Sequence, residues 1–209
     1  MVIFPYIQYA PDMLETRYGF KSGAGAIYAL PYIISGILSP ILGIVIDRIG
    51  KRALFIMTSS VLILVACVVT ILIPASDPGD PQWLCLLPLI LLGIGYSVYA
   101  AALWGCIPYT VTARLVGTAY GMCTAVQNVG LFISPWVSSQ CLKTSKQDGY
   151  FWLMMYYCVL AMIGIFFNVW LYFDDLRNRG GILDKVDDGE NLQELMTTPV
   201  DESKRRVMQ

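Results

Sequence analysis

The sequence predicts an all-α membrane protein, and three observations carry that expectation. Long stretches without any charged residue recur, short loops between them hold most of the Lys and Arg, and 56% of residues are hydrophobic against 14% charged. Mean hydropathy is +0.61. A bilayer core about 30 Å thick takes about 20 consecutive apolar residues of helix to cross. Inside it the backbone finds no water, so a segment must satisfy its own polar groups.

The elements follow in order. Residues 1–14 include an apolar piece from Val2 to Pro11, about half of what a span needs, and are expected to be the remnant of a transmembrane helix whose beginning lies outside the sequence. A short amphipathic segment is the alternative. No basic n-region precedes Ile3 and no small-residue cleavage site follows, so the piece does not read as a signal peptide. Ser22–Ile46, Ala53–Ala75, Pro81–Ala113, Leu115–Leu142 and Gly149–Phe173 contain no Asp, Glu, Lys, Arg or His. They place transmembrane helices of one bundle at 22–46, 53–74, 82–107, 115–141 and 150–173. From Asp174 the composition turns acidic and Gly-rich, too polar to bury a core, so 174–209 is expected to be a disordered cytoplasmic tail. Its Lys204-Arg205-Arg206 cluster suits contact with anionic lipid.

Orientation comes from loop charges, because cytoplasmic loops carry the excess of Lys and Arg. Arg48, Lys51, Arg52, Arg114, Arg177 and Arg179 fall on one side, six residues against the four of Arg17, Lys21, Lys143 and Lys146. The first set marks the cytoplasmic side. The loop Gly43-Ile44-Val45-Ile46-Asp47-Arg48-Ile49-Gly50-Lys51-Arg52 is then a tight basic hinge joining two spans.

Several function classes drop out. A net charge of −1 with few basic residues gives no footing for nucleic acid. Six scattered cysteines without a Cys-x-x-Cys pair, and no histidine, fit no zinc or redox motif. No cofactor is expected, and no nucleophile-and-base constellation points to an enzyme. No Asn-x-Ser/Thr sequon occurs.

The spans instead carry uncharged polar and aromatic residues: Tyr28 and Tyr32, then Tyr96, Tyr99 and Trp104, then Tyr120, Thr124, Gln127 and Asn128. The last four recur at steps of three and four, so they share a broad helical face. In hydrocarbon such a face turns inward, and its amides find a neighbouring helix, trapped water or a ligand. Helix-to-helix hydrogen bonding and substrate contact both remain open for Gln127 and Asn128. Trp104 sits well inside its stretch, four-residue steps from Ala100 and Tyr96, where it forms either core packing or the wall of a cavity. Gly23, Gly25, Pro31, Gly36 and Pro40 make the first full span a jointed helix.

The hinge resembles the signature loop of the major facilitator superfamily: Gly, three residues, Asp-Arg, one residue, Gly and two basic residues, matched by Gly43, Asp47, Arg48, Gly50, Lys51 and Arg52. That loop follows the second span of each six-helix half. With four spans between it and the tail, the chain resembles the carboxy-terminal six-helix half of such a bundle, first helix truncated. Phe4-Pro5-Tyr6, Arg17-Tyr18-Gly19-Phe20, Ala102-Leu103-Trp104, Gly117-Thr118-Ala119-Tyr120-Gly121 and Gln127-Asn128-Val129-Gly130-Leu131 are similar to a branch of lysosomal dipeptide exporters.

The resemblance implies uniport of dipeptides or related small solutes by alternating access, from a lysosomal membrane. The expected partners are the lipid bilayer, a small peptide substrate, the missing amino-terminal half and a glycosylated lysosomal accessory protein. Trp104, Tyr120, Gln127 and Asn128, with Tyr28 and Tyr32, would line this half's side of the cavity. The hinge residues would act as a conformational-switch loop, with Asp47 resting on a helix end of the other half. The alternatives are a non-transporting assembly or regulatory subunit and a transporter of another small metabolite.

Overall fold

The computed structural model describes residues 2–20, 23–76, 80–144, 146–178 and 180–184. Seven α-helices run through them: α1 (Ile3–Thr16), α2 (Ala24–Tyr28), α3 (Leu30–Ile49), α4 (Arg52–Leu72), α5 (Leu86–Thr110), α6 (Val116–Thr144) and α7 (Lys146–Asn178). No strand occurs among the described residues. Four stretches are long and apolar enough to cross a membrane: Ala24–Ile49, Arg52–Leu72, Trp83–Thr110 and Gly149–Asn178. Helix α6 has the length, 29 residues, but it also carries Thr124, Gln127, Asn128, Ser134 and Ser138, which dilute its apolar character.

Helices α2 and α3 are one span with a joint at Ala29. Pro31 has no N–H for the carbonyl one turn earlier, so the ladder lapses there before resuming with Ile33 N–H to Ala29 O at 3.0 Å. Helix α1 has 14 residues, about 21 Å at 1.5 Å per residue, short of a full crossing. It is nonetheless among the most enclosed elements: Tyr6, Ile7, Ala10 and Leu14 are at most 1% exposed.

The bundle is built on α4 and α5. Helix α4 packs on α5 and α7, α3 packs on α5, and α6 packs on α7. Glycines set the tightest approaches. A Cβ on Gly93 would stand 3.0 Å from the Pro31 backbone, and one on Gly149 would stand 2.9 Å from the Cys141 carbonyl oxygen. Buried hydroxyls are tied across the seams. Thr70 gives its proton to Ala66 O at 2.8 Å, so Tyr6 donates to Thr70 Oγ1 at 2.6 Å, linking α1 to α4. Asn168 Nδ2 donates to Ser60 Oγ at 2.7 Å, linking α7 to α4. Tyr150 OH donates to Asp12 Oδ2, linking α7 to α1. Such bonds are what a dry interior demands of polar side chains.

Two findings differ from the sequence expectations. Helix α7 continues to Asn178, past the expected end of the span at 173, and the chain then turns back instead of leaving the protein. Gly180 and Gly181, at φ 66° and 70°, reverse its direction. Leu183 is buried to 1% exposure and Asp175 to 2%. The acidic composition after Asp174 hid a single apolar anchor. The rest of the expected tail, 185–209 with Lys204-Arg205-Arg206, lies outside the described residues.

Arg52 is the second difference. Its side chain is fully buried while Arg48 and Lys51 are exposed, so the basic hinge is not one solvated patch.

Candidate functional site

A cavity of about 380 Å³ opens between α5 and α6, lined by Tyr99, Leu103, Trp104, Met122, Cys123, Val126 and Gln127. Both helices present to it residues one turn apart, Tyr99 with Leu103, Met122 with Val126 and Cys123 with Gln127, which is the spacing of a common helical face. The lining is aromatic and aliphatic, its polar groups being the Gln127 amide, the Tyr99 hydroxyl, the Trp104 indole N–H and the Cys123 thiol, and none of its side chains is charged. Such a wall suits an organic solute with apolar bulk and few hydrogen-bonding groups.

The position of Trp104 follows from the backbone below it. Its carbonyl would ordinarily accept from the N–H four residues on, but that residue is Pro108, inside α5, which has none. Tyr120 OH on α6 fills the vacancy, donating to Trp104 O at 2.9 Å. The two rings lie nearly parallel, with centroids 5.8 Å apart and an interplanar angle of 12°, within the offset-stacking range. Tyr120 thereby fixes the indole as a wall of the cavity, and its own hydroxyl is engaged.

The sequence-selected residues separate into three groups. Trp104 and Gln127 share the cavity, and Tyr120 braces Trp104 from behind. Asn128 is exposed but outside the lining, because the next residue on a helix turns about 100° away. Tyr28 and Tyr32 pack edge to face with centroids 5.7 Å apart on α2 and α3, and Tyr32 is 42% exposed. They form a separate aromatic patch.

Leu103, Met122, Cys123 and Val126 escaped sequence selection, and Tyr99, noted among the polar and aromatic residues of its span, was not chosen for the site. The four-residue steps ran through Tyr96 to Trp104, yet Tyr96 rests edge-on against Phe4, with centroids 5.5 Å apart. The neighbouring stripe, Tyr99 and Leu103, faces α6. Step counting gives the period, and only the packing partner gives the phase.

At the other end of α3 the hinge is held by two residues with positive φ. Gly50, at φ 70°, ends α3 with its N–H on Ile46 O at 2.8 Å. Lys51, at φ 50°, starts α4, with its carbonyl accepting from Leu54 and Phe55. Arg52 Nη2 donates to Asp47 Oδ1 at 3.1 Å and to Tyr109 OH at 3.1 Å, and its guanidinium carbon lies 4.1 Å from the Tyr109 ring centroid. Asp47 keeps 62% of its side chain exposed. Within this chain, then, Asp47 rests against the buried Arg52, while most of its surface stays open. Gly43, one turn before it, has no atom within 4 Å of where a Cβ would stand.

Comparison with known proteins places this geometry. The Major Facilitator Superfamily profile matches residues 1–201. The chain is 29% identical to the lysosomal dipeptide transporter MFSD1 of Bos taurus over 183 residues, 87% of this chain and 37% of that protein. Against MFSD1 of Gallus gallus it is 28% identical over 194 residues, 92% of this chain and 41% of that protein. An uncharacterised MFS-type transporter of Mycobacterium tuberculosis is 34% identical over 110 residues, 50% of this chain and 17% of that protein. The chain thus spans well under half the length of these relatives. The long apolar helices, the hinge with its Gly-x-x-x-Asp-Arg-x-Gly pattern and a profile match over nearly the whole chain agree: this integral multi-pass membrane protein belongs to the major facilitator superfamily.

Proposed function

We propose that the chain is the carboxy-terminal half of a facilitative transporter that exports dipeptides, or closely related small solutes, from the lysosome by alternating access. The observation that carries this reading is the uncharged cavity between α5 and α6, walled by Trp104 and bearing the Gln127 amide. Similarity to the MFSD1 proteins supports the substrate class and the lysosomal membrane. In this reading Trp104 packs on substrate side chains and Gln127 hydrogen-bonds a peptide group. Tyr120 acts as a positioning residue, and Tyr28, Tyr32 and Asn128 stand on surfaces that the amino-terminal half would close. A cavity without acids or bases on this side fits uniport, since proton relays are built from intramembrane ionisable residues. A glycosylated accessory protein would complement a chain that has no sequon of its own.

Cys123 is a natural reporter, because it lines the cavity and is exposed. In proteoliposomes holding this half with its amino-terminal partner, a methanethiosulfonate reagent should label Cys123 and block dipeptide flux, and dipeptide should slow the labelling. Trp104→Ala and Gln127→Ala should each reduce flux about tenfold, the loss of about 1.4 kcal/mol of binding, while Asn128→Ala should cost less. Unchanged flux in the Trp104→Ala, Gln127→Ala double variant would overturn the site. Stable complexes with other membrane proteins and no dipeptide protection of Cys123 would favour an assembly subunit instead.

A further inference from the structure

We propose that the turn Gly180–Asp184 is a detachable latch on the switch loop. It bridges two elements that the sequence separates by more than a hundred residues. On one side it is tied to the end of α7: Gly181 N–H donates to Asp175 O at 3.0 Å, and Leu183 N–H donates to Asp175 Oδ2 at 3.2 Å. On the other side Asp184 O accepts from Lys51 N–H at 3.3 Å. Between these bonds Leu183, 1% exposed, enters the small apolar cluster of Ile46, Ala53, Ile56, Ala102 and Cys106. Those residues come from α3, α4 and α5, so one leucine joins the hinge ends of three helices to a fourth.

The place of contact gives the turn its role. Lys51 is the only non-glycine residue with positive φ among the described residues, a conformation that the surrounding structure must hold. Its N–H has no intrahelical partner at the start of α4, and the latch supplies one. Among the described residues the turn is held by the Leu183 side chain and by hydrogen bonds of Gly181, Leu183 and Asp184. Segments this lightly anchored open at low free-energy cost and are the ones from which moving elements are drawn. With the latch seated, the hinge moves as one block with α7. With it lifted, Lys51 loses a restraint and the apolar cluster opens to the cytoplasmic side. The proposal goes beyond the transport reading and rests on it only for the flux measurement below.

Ala53 is 2% exposed and shares the buried cluster that Leu183 enters, so Ala53→Cys reports whether the latch is seated. On a Cys106→Ser, Cys123→Ser, Cys141→Ser background in membranes, a maleimide should react slowly with Ala53→Cys. Adding Leu183→Asp should speed the reaction about tenfold, and Leu183→Met should leave it slow. Equal rates with and without Leu183→Asp overturn the latch. Because Leu183→Asp can also impair folding, an Ala53→Cys, Leu183→Cys pair oxidised with copper phenanthroline gives a second reading. A cross-link that changes dipeptide flux about threefold, reversed by dithiothreitol, supports the latch. Failure to cross-link overturns the docking, and a cross-link without effect on measurable flux overturns the switching role. Absence of flux in both oxidised and reduced protein counts against the transport reading, and the maleimide rates then decide the latch alone.

Discussion

Gly149 and Gly121 belong to the same packed pair of helices, α7 and α6, yet they meet opposite surroundings. A Cβ on Gly149 would press on the backbone of Cys141 and Leu142 at 2.9 Å, whereas one on Gly121 would meet nothing within 4 Å. The same contrast separates Gly93, wedged against Pro31, from Gly117 and Gly105, which are open. One set closes the seams inside this chain. The other lies on an open surface, with residues 121–126 of α6 exposed without interruption. Small residues let helix backbones come together in a membrane, so their two environments separate contacts made within this chain from a face with room for another helix.

Substitutions can break or sharpen that division. The largest effect is expected from Gly93→Val, whose branched side chain would meet the Pro31 backbone and cannot be accommodated by rotamer change. A loss of about 3 kcal/mol, read as a lowered Tm in detergent and reduced monodisperse yield, is the expected result. Arg52→Ala should follow, at about 2–3 kcal/mol, because it empties a fully buried site and removes hydrogen bonds to Asp47 and Tyr109. Arg52→Lys should recover only part, since an ammonium lacks the flat guanidinium that lies over the Tyr109 ring. Tyr120→Phe leaves the Trp104 carbonyl without its donor and should cost about 1–2 kcal/mol, measured by denaturant titration. At the small end, Gly121→Ala should stabilise this chain alone by up to about 1 kcal/mol through helix propensity, while lowering flux once the other half is present. A destabilised isolated chain would show that the face is already occupied and would dissolve the contrast.

The sequence made the bundle readable because a bilayer tolerates few charges, and uncharged runs therefore announce spans. That the first full span is jointed was legible from its glycines and prolines, but not where, since the break falls at Ala29 while α3 runs on through Pro40. The site was only half legible. Trp104 and Gln127 stood out as polar residues in apolar surroundings, but Leu103, Met122 and Val126 line the cavity with side chains that look like any lipid-facing residue. Which of them face α6 depends on how two helices are rotated against each other, and that phase is set by interhelical contacts rather than local pattern. The buried Arg52 and the docked Leu183 were hidden for a related reason. Composition reports the average environment of a segment, and each is the exception within its own.

The bond from Tyr120 to the Trp104 carbonyl has a genetic consequence. The hydroxyl matters because a proline one turn away withholds the usual donor, so the effect of one residue depends on the identity of the other. In a Pro108→Ala background the α5 backbone can supply its own N–H to Trp104 O, and Tyr120→Phe should become nearly silent. The pair should therefore show strong epistasis across two helices, measurable as a coupling energy in a double-mutant cycle. Lineages that keep the proline would be bound to keep the phenol, while those that lose it would be free to lose both.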